Sequence, residues 1–200
     1  MVVEPQRLGS LALAVAASFA LLAPVTAQNL VIEGNCREGQ PHGAYELRSP
    51  GGQVRVVGAF SKGKRTGSFL FWSGRGVRIA QLPYDEGVLS GTLALWYANG
   101  ERTSDPSPKV EAGYMQGLLS GMKRSWFPNR RLRAEMRYER GLLVEARAYS
   151  ETGKVLSDAE ARALAARDLE TDEQFYASLD SIIRAHLPRC EPASDRLEKG

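Results

Sequence analysis

The sequence predicts a mainly β fold: an elongated antiparallel sheet of stacked β-hairpin repeats that ends in a C-terminal cap of two helices. Three observations lead to this prediction. Pairs of glycines recur at a fixed interval, segments rich in aromatic and β-branched residues lie between them, and helical periodicity replaces this pattern near the C-terminus. The 200 residues are enough for one domain with a hydrophobic core.

Residues 1–27 are predicted to be a cleavable signal peptide. An apolar run at residues 8–23 follows Arg7, and the small residues at 25–27 provide a cleavage site after Ala27. The run is short for a membrane span, and its ending is typical of export signals. An uncleaved membrane anchor is the alternative. The sequence therefore predicts a periplasmic or secreted protein.

Repeats of about 24 residues are predicted over residues 34–156, as four units and a decayed fifth. Each unit begins with two glycines separated by three residues, and an aromatic residue closes it. The third unit is longer because of a polar, proline-rich insertion at residues 103–108. The glycine pairs are 39/43, 63/67, 87/91 and 117/121, and the closing aromatics are Phe60, Tyr84, Tyr114 and Tyr138.

Each unit is predicted to form one β-hairpin. Segments such as "SFLFW" favour strands, and the residues after each turn alternate between two faces. In the fourth unit the alternation assigns Arg133 and Arg137 to the polar face, opposite Ala134 and Met136. We expect extended backbone where one unit joins the next. Hairpin turns are expected near Gly52, Gly76, Gly100 and Arg130.

The segment "GAFSKGKRTG" comes close to a nucleotide-binding loop. Gly58, Gly63 and Lys64 have the required spacing, but Arg65 occupies the position of the Mg²⁺-binding Ser or Thr. Gly63 recurs at every repeat junction, whereas the lysine does not. The segment is therefore predicted to be a repeat junction.

The glycine pair, an aromatic pair such as Trp96-Tyr97, the turn Asn99-Gly100 and a closing Tyr resemble the MORN repeat, particularly its bacterial variant form. The resemblance covers residues 39–153. The best copy is "GVLSGTLALWYANGE"; the first copy lacks the aromatic pair, and the fourth lacks the turn glycine. The resemblance implies a sheet of stacked hairpins that acts as a scaffold or binding surface, and it implies no reaction.

Residues 157–187 are predicted to form the helical cap, followed by a tail at 188–200. Ser157 and Glu160 form a capping box that opens one helix, and Thr171 and Gln174 form a second box that opens another. An apolar face on the second helix is expected to dock on the sheet, because the last repeat has no neighbour to cover it. A partner-binding helix is the alternative.

Cys36 and Cys190 are the two cysteines of the chain. In an oxidising compartment this even count predicts one disulfide between the cap and the first repeat. Two unrelated thiols are the alternative.

The charges are balanced overall, with 26 basic and 23 acidic residues, so no nucleic-acid partner is expected. Locally they separate: residues 123–147 carry a net +5, and residues 158–180 carry a net −5. We define the basic strip as Arg130, Arg131, Arg133 and Arg137. It is a candidate surface for an anionic ligand or a partner, or it meets the protein's own acidic helices.

No catalytic, metal or cofactor site is predicted. His42 and His186 each stand without a second ligand or a nucleophile at a suitable spacing. The leading functional hypothesis is a non-catalytic exported scaffold that binds an envelope or secreted protein. The alternative is binding of anionic lipid or another polyanion by the basic strip.

Overall fold

The computed structural model describes residues 29–98 and 106–191. The predicted signal peptide and the turn at Gly100 lie outside these residues. Within them the chain forms an eleven-stranded sheet and one α-helix. The elements are β1 (Val31–Arg37), β2 (Gln40–Arg48), β3 (Val54–Ser61), β4 (Lys64–Trp72), β5 (Arg78–Asp85), β6 (Val88–Leu89), β7 (Gly91–Trp96), β8 (Pro108–Met115), β9 (Leu118–Trp126), β10 (Leu132–Glu139), β11 (Leu142–Ala148) and α1 (Asp158–Ala185).

The sheet is an antiparallel meander. Ten strands lie side by side in chain order. The short β6, which precedes β7 in the chain, also pairs with β5. Every connection in this order is therefore local, which confirms the predicted sheet of hairpins. β1 lies before the first glycine pair and forms one edge of the sheet. Lys64 begins a strand, whereas a nucleotide-binding loop requires a helix there.

The first glycine of each pair lies in a tight turn, so the expectation of extended junctions is wrong. We call these the junction turns. At Lys62-Gly63 both central residues have positive φ, 49° and 76°, as in the two-residue hairpin turns that match strand twist. The Gly63 N–H also donates to the Pro41 carbonyl at the start of β2 at 2.9 Å. Gly87, Gly117 and Gly141 make the same kind of bond, so each of these junction turns is tied to the strand that follows the preceding one.

The second glycine of each pair lies opposite the closing aromatic of its own unit. All four of these glycines have positive φ. The repeated glycine and aromatic positions are therefore coupled across the sheet. The four facing pairs are Gly43 with Phe60, Gly67 with Tyr84, Gly91 with Tyr114 and Gly121 with Tyr138.

The turns at the other end of the units, which we call the loops, confirm the predicted positions at Gly52, Gly76 and Arg130. In the first loop the Gly52 N–H donates to the Ser49 carbonyl at 2.8 Å. The Gln53 N–H donates to Ser49 Oγ at 3.2 Å. The fourth unit has Arg130 where the other units have the loop glycine. Arg130 itself adopts a φ of 65°, a conformation that glycine adopts more readily.

One face of the sheet carries the hydrophobic core. A row of residues in register crosses it, with large side chains at the β2 end and small ones at the β11 end. α1 makes its closest backbone approach to β11, where Ala161 and Ala165 are buried. The row is Leu47, Val56, Phe71, Ala80, Leu95, Val110, Ser125, Ala134 and Ala148.

α1 crosses this face from the last strands to the first. Its 28 residues span ~42 Å, and the nine gaps between ten strands span ~43 Å. Its contacts follow that path in order. They are Arg133–Asp168, Lys123–Asp172, Arg65–Asp180, the Tyr45 hydroxyl donating to the His186 carbonyl, and the Cys36–Cys190 disulfide, which confirms the predicted pairing.

The cap is one continuous helix, so the prediction of two helices is wrong in number. The capping box at Ser157 is present, with the Ser157 N–H donating to Glu160 Oε2 at 2.8 Å. Thr171 instead lies inside the helix, and its hydroxyl donates to the Arg167 carbonyl one turn earlier at 2.9 Å. A threonine in mid-helix makes this bond without ending the helix.

Gly58 allows the Phe69 ring to lie against the backbone of β3. A Cβ at this position would be 2.5 Å from Phe69 Cε1. We therefore expect Gly58→Ala to lower the free energy of unfolding by about 1–3 kcal/mol, because the ring has to leave its packed position. Urea denaturation measures the change. Gly51→Ala is the control, since its nearest contact is Ser49 Oγ at 4.0 Å; equal effects of the two substitutions would contradict the explanation.

Candidate interaction surface

The helix leaves the opposite face of the sheet uncovered within the described residues. A second row of residues in register crosses this face. Its first half is mostly uncharged, and its second half alternates acidic and basic residues, with Arg124 Nε 3.1 Å from Glu135 Oε1. The row is Glu46, Val57, Leu70, Gln81, Ala94, Glu111, Arg124, Glu135 and Arg147.

A groove of about 790 Å³ lies between the loops of the first two units, on the uncovered side. Val57 and Trp72 provide apolar surface, and Arg48 and Arg75 provide charge. The remaining wall is largely backbone, because glycines occupy four positions of the two loops. They are Gly51, Gly52, Gly74 and Gly76.

The arginines around the groove are held mainly by backbone carbonyls. Arg75 Nη2 donates to the Ala98 carbonyl at 2.7 Å. Arg48 donates to the Gly52 carbonyl at 2.9 Å and also pairs with Glu46. Bonds to neutral carbonyls fix a guanidinium without cancelling its charge. The groove therefore suits a carboxylate that lies next to an apolar group.

The basic strip does not form one surface. Arg130 and Arg131 contact neighbouring loops. Arg130 Nε is 3.4 Å from Ser107 Oγ, and Arg131 Nη1 donates to the Glu151 carbonyl at 2.9 Å. Arg137 pairs with Glu139 at 2.6 Å. The structure thus brings none of these three together at a common site.

Arg133 contacts the acidic helix, so its predicted place on the polar face is wrong. It binds Asp168 with two hydrogen bonds of 2.6 and 2.9 Å. The register between β10 and β9 shifts between Leu132 and Ala134. Such a β-bulge interrupts the alternation of side chains and redirects the residue within it.

Lys123 and Asp172 form a buried ion pair beneath α1. Their atoms Nζ and Oδ2 are 2.6 Å apart, and the side chains are 5% and 6% exposed. Lys123 occupies the position that holds Phe69 in the second unit and Leu93 in the third, in the same register of the sheet. The sequence pattern showed Lys123 as one basic residue of many and did not indicate that it is buried.

Buried tyrosines predict a loss of stability at alkaline pH. Burial raises the pKa of the Tyr114 hydroxyl to about 12 and also raises those of Tyr45 and Tyr176. A raised pKa means that the unfolded chain ionises first. Ionisation of these tyrosines therefore leaves the free energy of unfolding unchanged below about pH 10. Above that pH it lowers the free energy of unfolding by up to about 1.4 kcal/mol per pH unit for each tyrosine.

Urea denaturation across this pH range measures that loss. Tyr114→Phe should reduce the slope of the free energy of unfolding against pH. A free energy of unfolding that stays constant from neutral pH to about pH 11 would contradict the assignment.

The two histidines have structural contacts. His42 Nδ1 accepts from the Lys62 N–H at 3.4 Å, and His186 Nδ1 donates to the Ile182 carbonyl at 2.8 Å. Among the described residues, no group of three or more His, Cys, Asp or Glu side chains is arranged to hold a metal ion. No helix in the same part of the chain is long and apolar enough to cross a membrane.

No model of a known protein family matches the chain, and no curated protein matches it either. The functional assignment therefore depends on the surface itself.

Proposed function

We propose that the protein is a non-catalytic, exported scaffold or interaction module, and that it binds a protein partner through the uncovered sheet face. The observation that carries the proposal is the groove on that face, which combines the ring of Trp72 with the charge of Arg75. Binding energy in protein interfaces concentrates on a few aromatic and arginine residues. Trp72 is the expected anchor.

The partner segment that suits the groove is acidic and extended. Its carboxylates would contact Arg75, and its backbone could approach the glycine loops closely. The proposal includes the signal peptide at residues 1–27, which delivers the chain to an oxidising compartment, and a relationship to MORN repeats. The Cys36–Cys190 disulfide supports the compartment.

Crosslinking followed by affinity capture from the native envelope or secreted fraction tests the proposal. We expect Trp72→Ala to reduce capture of the partner by tenfold or more, the effect of losing about 1.4 kcal/mol or more. Arg75→Gln should also reduce capture, most strongly at low salt, because exposed charges are screened as ionic strength rises.

Arg167→Gln is the matched control, because this exposed arginine lies on α1, which covers the opposite face of the sheet from the groove. Its capture should equal that of the wild type. Loss of capture with Arg167→Gln, or undiminished capture with a folded Trp72→Ala variant, would contradict binding at the groove.

Binding of anionic lipid by the basic strip has weaker support. Arg133 and Arg137 pair with carboxylates, and Arg131 donates to loop carbonyls. These contacts reduce the charge and the freedom that the strip could offer to lipid head groups. We therefore do not carry this alternative forward as a second function.

A further inference from the structure

Two adjoining cavities lie between the middle of α1 and the loop ends of the strands, on the covered side of the sheet. The smaller has about 140 Å³ and is lined chiefly by Ile79, Trp96 and Phe175. The larger has about 240 Å³ and includes Asp168 and Asp172. Tyr97 and Lys109 line both, so the two form one cleft.

Two cations contact the aromatic walls of the smaller cavity. Lys109 Nζ is 5.6 Å from the centre of the Phe175 ring, and the Arg78 guanidinium is 4.1 Å from the centre of the Trp96 ring. No carboxylate of the described residues pairs with Lys109. Arg78 Nε is buried and lacks a hydrogen-bond partner in the same part of the chain. A buried donor of this kind is costly without an acceptor.

The two carboxylates at the larger cavity already have cationic partners. Asp168 binds Arg133, and Asp172 pairs with Lys123. Among the described residues, the charge that remains at the cleft is therefore positive: it is that of Lys109, which lies at the border between the polar and the apolar cavity. This arrangement favours an anionic ligand that has an apolar part.

The smaller cavity has the size of one aromatic ring. Apolar cavities of about 150 Å³ bind benzene, and this one has about 140 Å³. Flat rings also stack well on the aromatic side chains of its walls. A single ring with a short acidic substituent would fill the cavity and reach Lys109.

We propose that this cleft binds a small aromatic carboxylate. The ring lies between Trp96 and Phe175, and the carboxylate pairs with Lys109 Nζ. The site is independent of the groove between the first two loops, which opens on the other face of the sheet. The protein can thus fail to bind an aromatic acid and still bind its partner, or the reverse.

Titration calorimetry with phenylacetate tests the site in the mature chain. We expect saturable binding with one site. Phenylacetamide, which has the same shape and no charge, should bind at least about tenfold more weakly, and Lys109→Met should weaken phenylacetate binding by a similar factor. Lys154→Met, an exposed lysine outside the cleft, should bind phenylacetate like the wild type.

A second variant separates binding from folding. Phe175→Trp adds volume at the cavity while it keeps an aromatic wall, so it should block phenylacetate and leave the circular dichroism spectrum unchanged. The proposal is overturned if phenylacetate shows no saturable binding at millimolar concentration, if the amide binds equally well, or if folded Lys109→Met binds like the wild type.

Discussion

Loss of the Cys36–Cys190 disulfide is expected to lower the free energy of unfolding by about 5 kcal/mol. The two cysteines are 154 residues apart in the chain, so the bond removes much of the conformational freedom of the unfolded state. It also ties the segment that follows α1 to the edge strand β1. For a chain of this size the melting temperature should fall by roughly 10–20 °C.

Thermal and urea denaturation with and without reductant measure this effect. The Cys36→Ser, Cys190→Ser double variant is the control, because reductant should change nothing further in it. Two titratable thiols in protein taken from its native compartment, or a melting temperature that reduction does not lower, would contradict the account.

Asp172→Asn is expected to destabilise the protein by about 3–5 kcal/mol, because it leaves the ammonium of Lys123 buried without its counter-charge. The third repeat unit suggests substitutions that should restore the stability. Leu93 occupies the position of Lys123 in the third unit, so the double variant Lys123→Leu, Asp172→Leu should recover most of the lost stability. Urea denaturation of the three proteins measures both effects.

Asp158→Asn provides the matched control for this pair. Asp158 forms an ion pair with Arg162 at 2.9 Å, but its side chain is 69% exposed, and exposed pairs contribute only about 0–1 kcal/mol. If Asp172→Asn costs no more than Asp158→Asn, the buried pair does not stabilise the fold as described.

The sheet could be predicted because its signals are local and repeated. The glycine pairs, the closing aromatics and the loop glycines recur in phase, and each marks a feature of a single hairpin. The junction turns were missed although the sequence contains their signal. Lys62-Gly63 and Glu86-Gly87 are x-Gly dipeptides of the kind that two-residue hairpin turns use, with positive φ at both residues.

The remaining errors arise from tertiary contacts that local patterns do not contain. Thr171 has the sequence context of a helix cap, but the helix continues and carries Asp172 to Lys123. A bulge in β10 brings Arg133 to Asp168. The groove likewise combines Trp72 with residues of the preceding loop, and its shape depends on how the two loops pack. No spacing along the chain encodes these contacts.

Hydrogen exchange of the partner complex tests most directly the central claim that the partner binds the uncovered face. We expect slower exchange at the loop amides of residues 49–53 and 73–77, which border the groove, and unchanged exchange in α1. Protection confined to α1, with both loops exchanging as in the unbound protein, would contradict the claim and would make the helix the binding element.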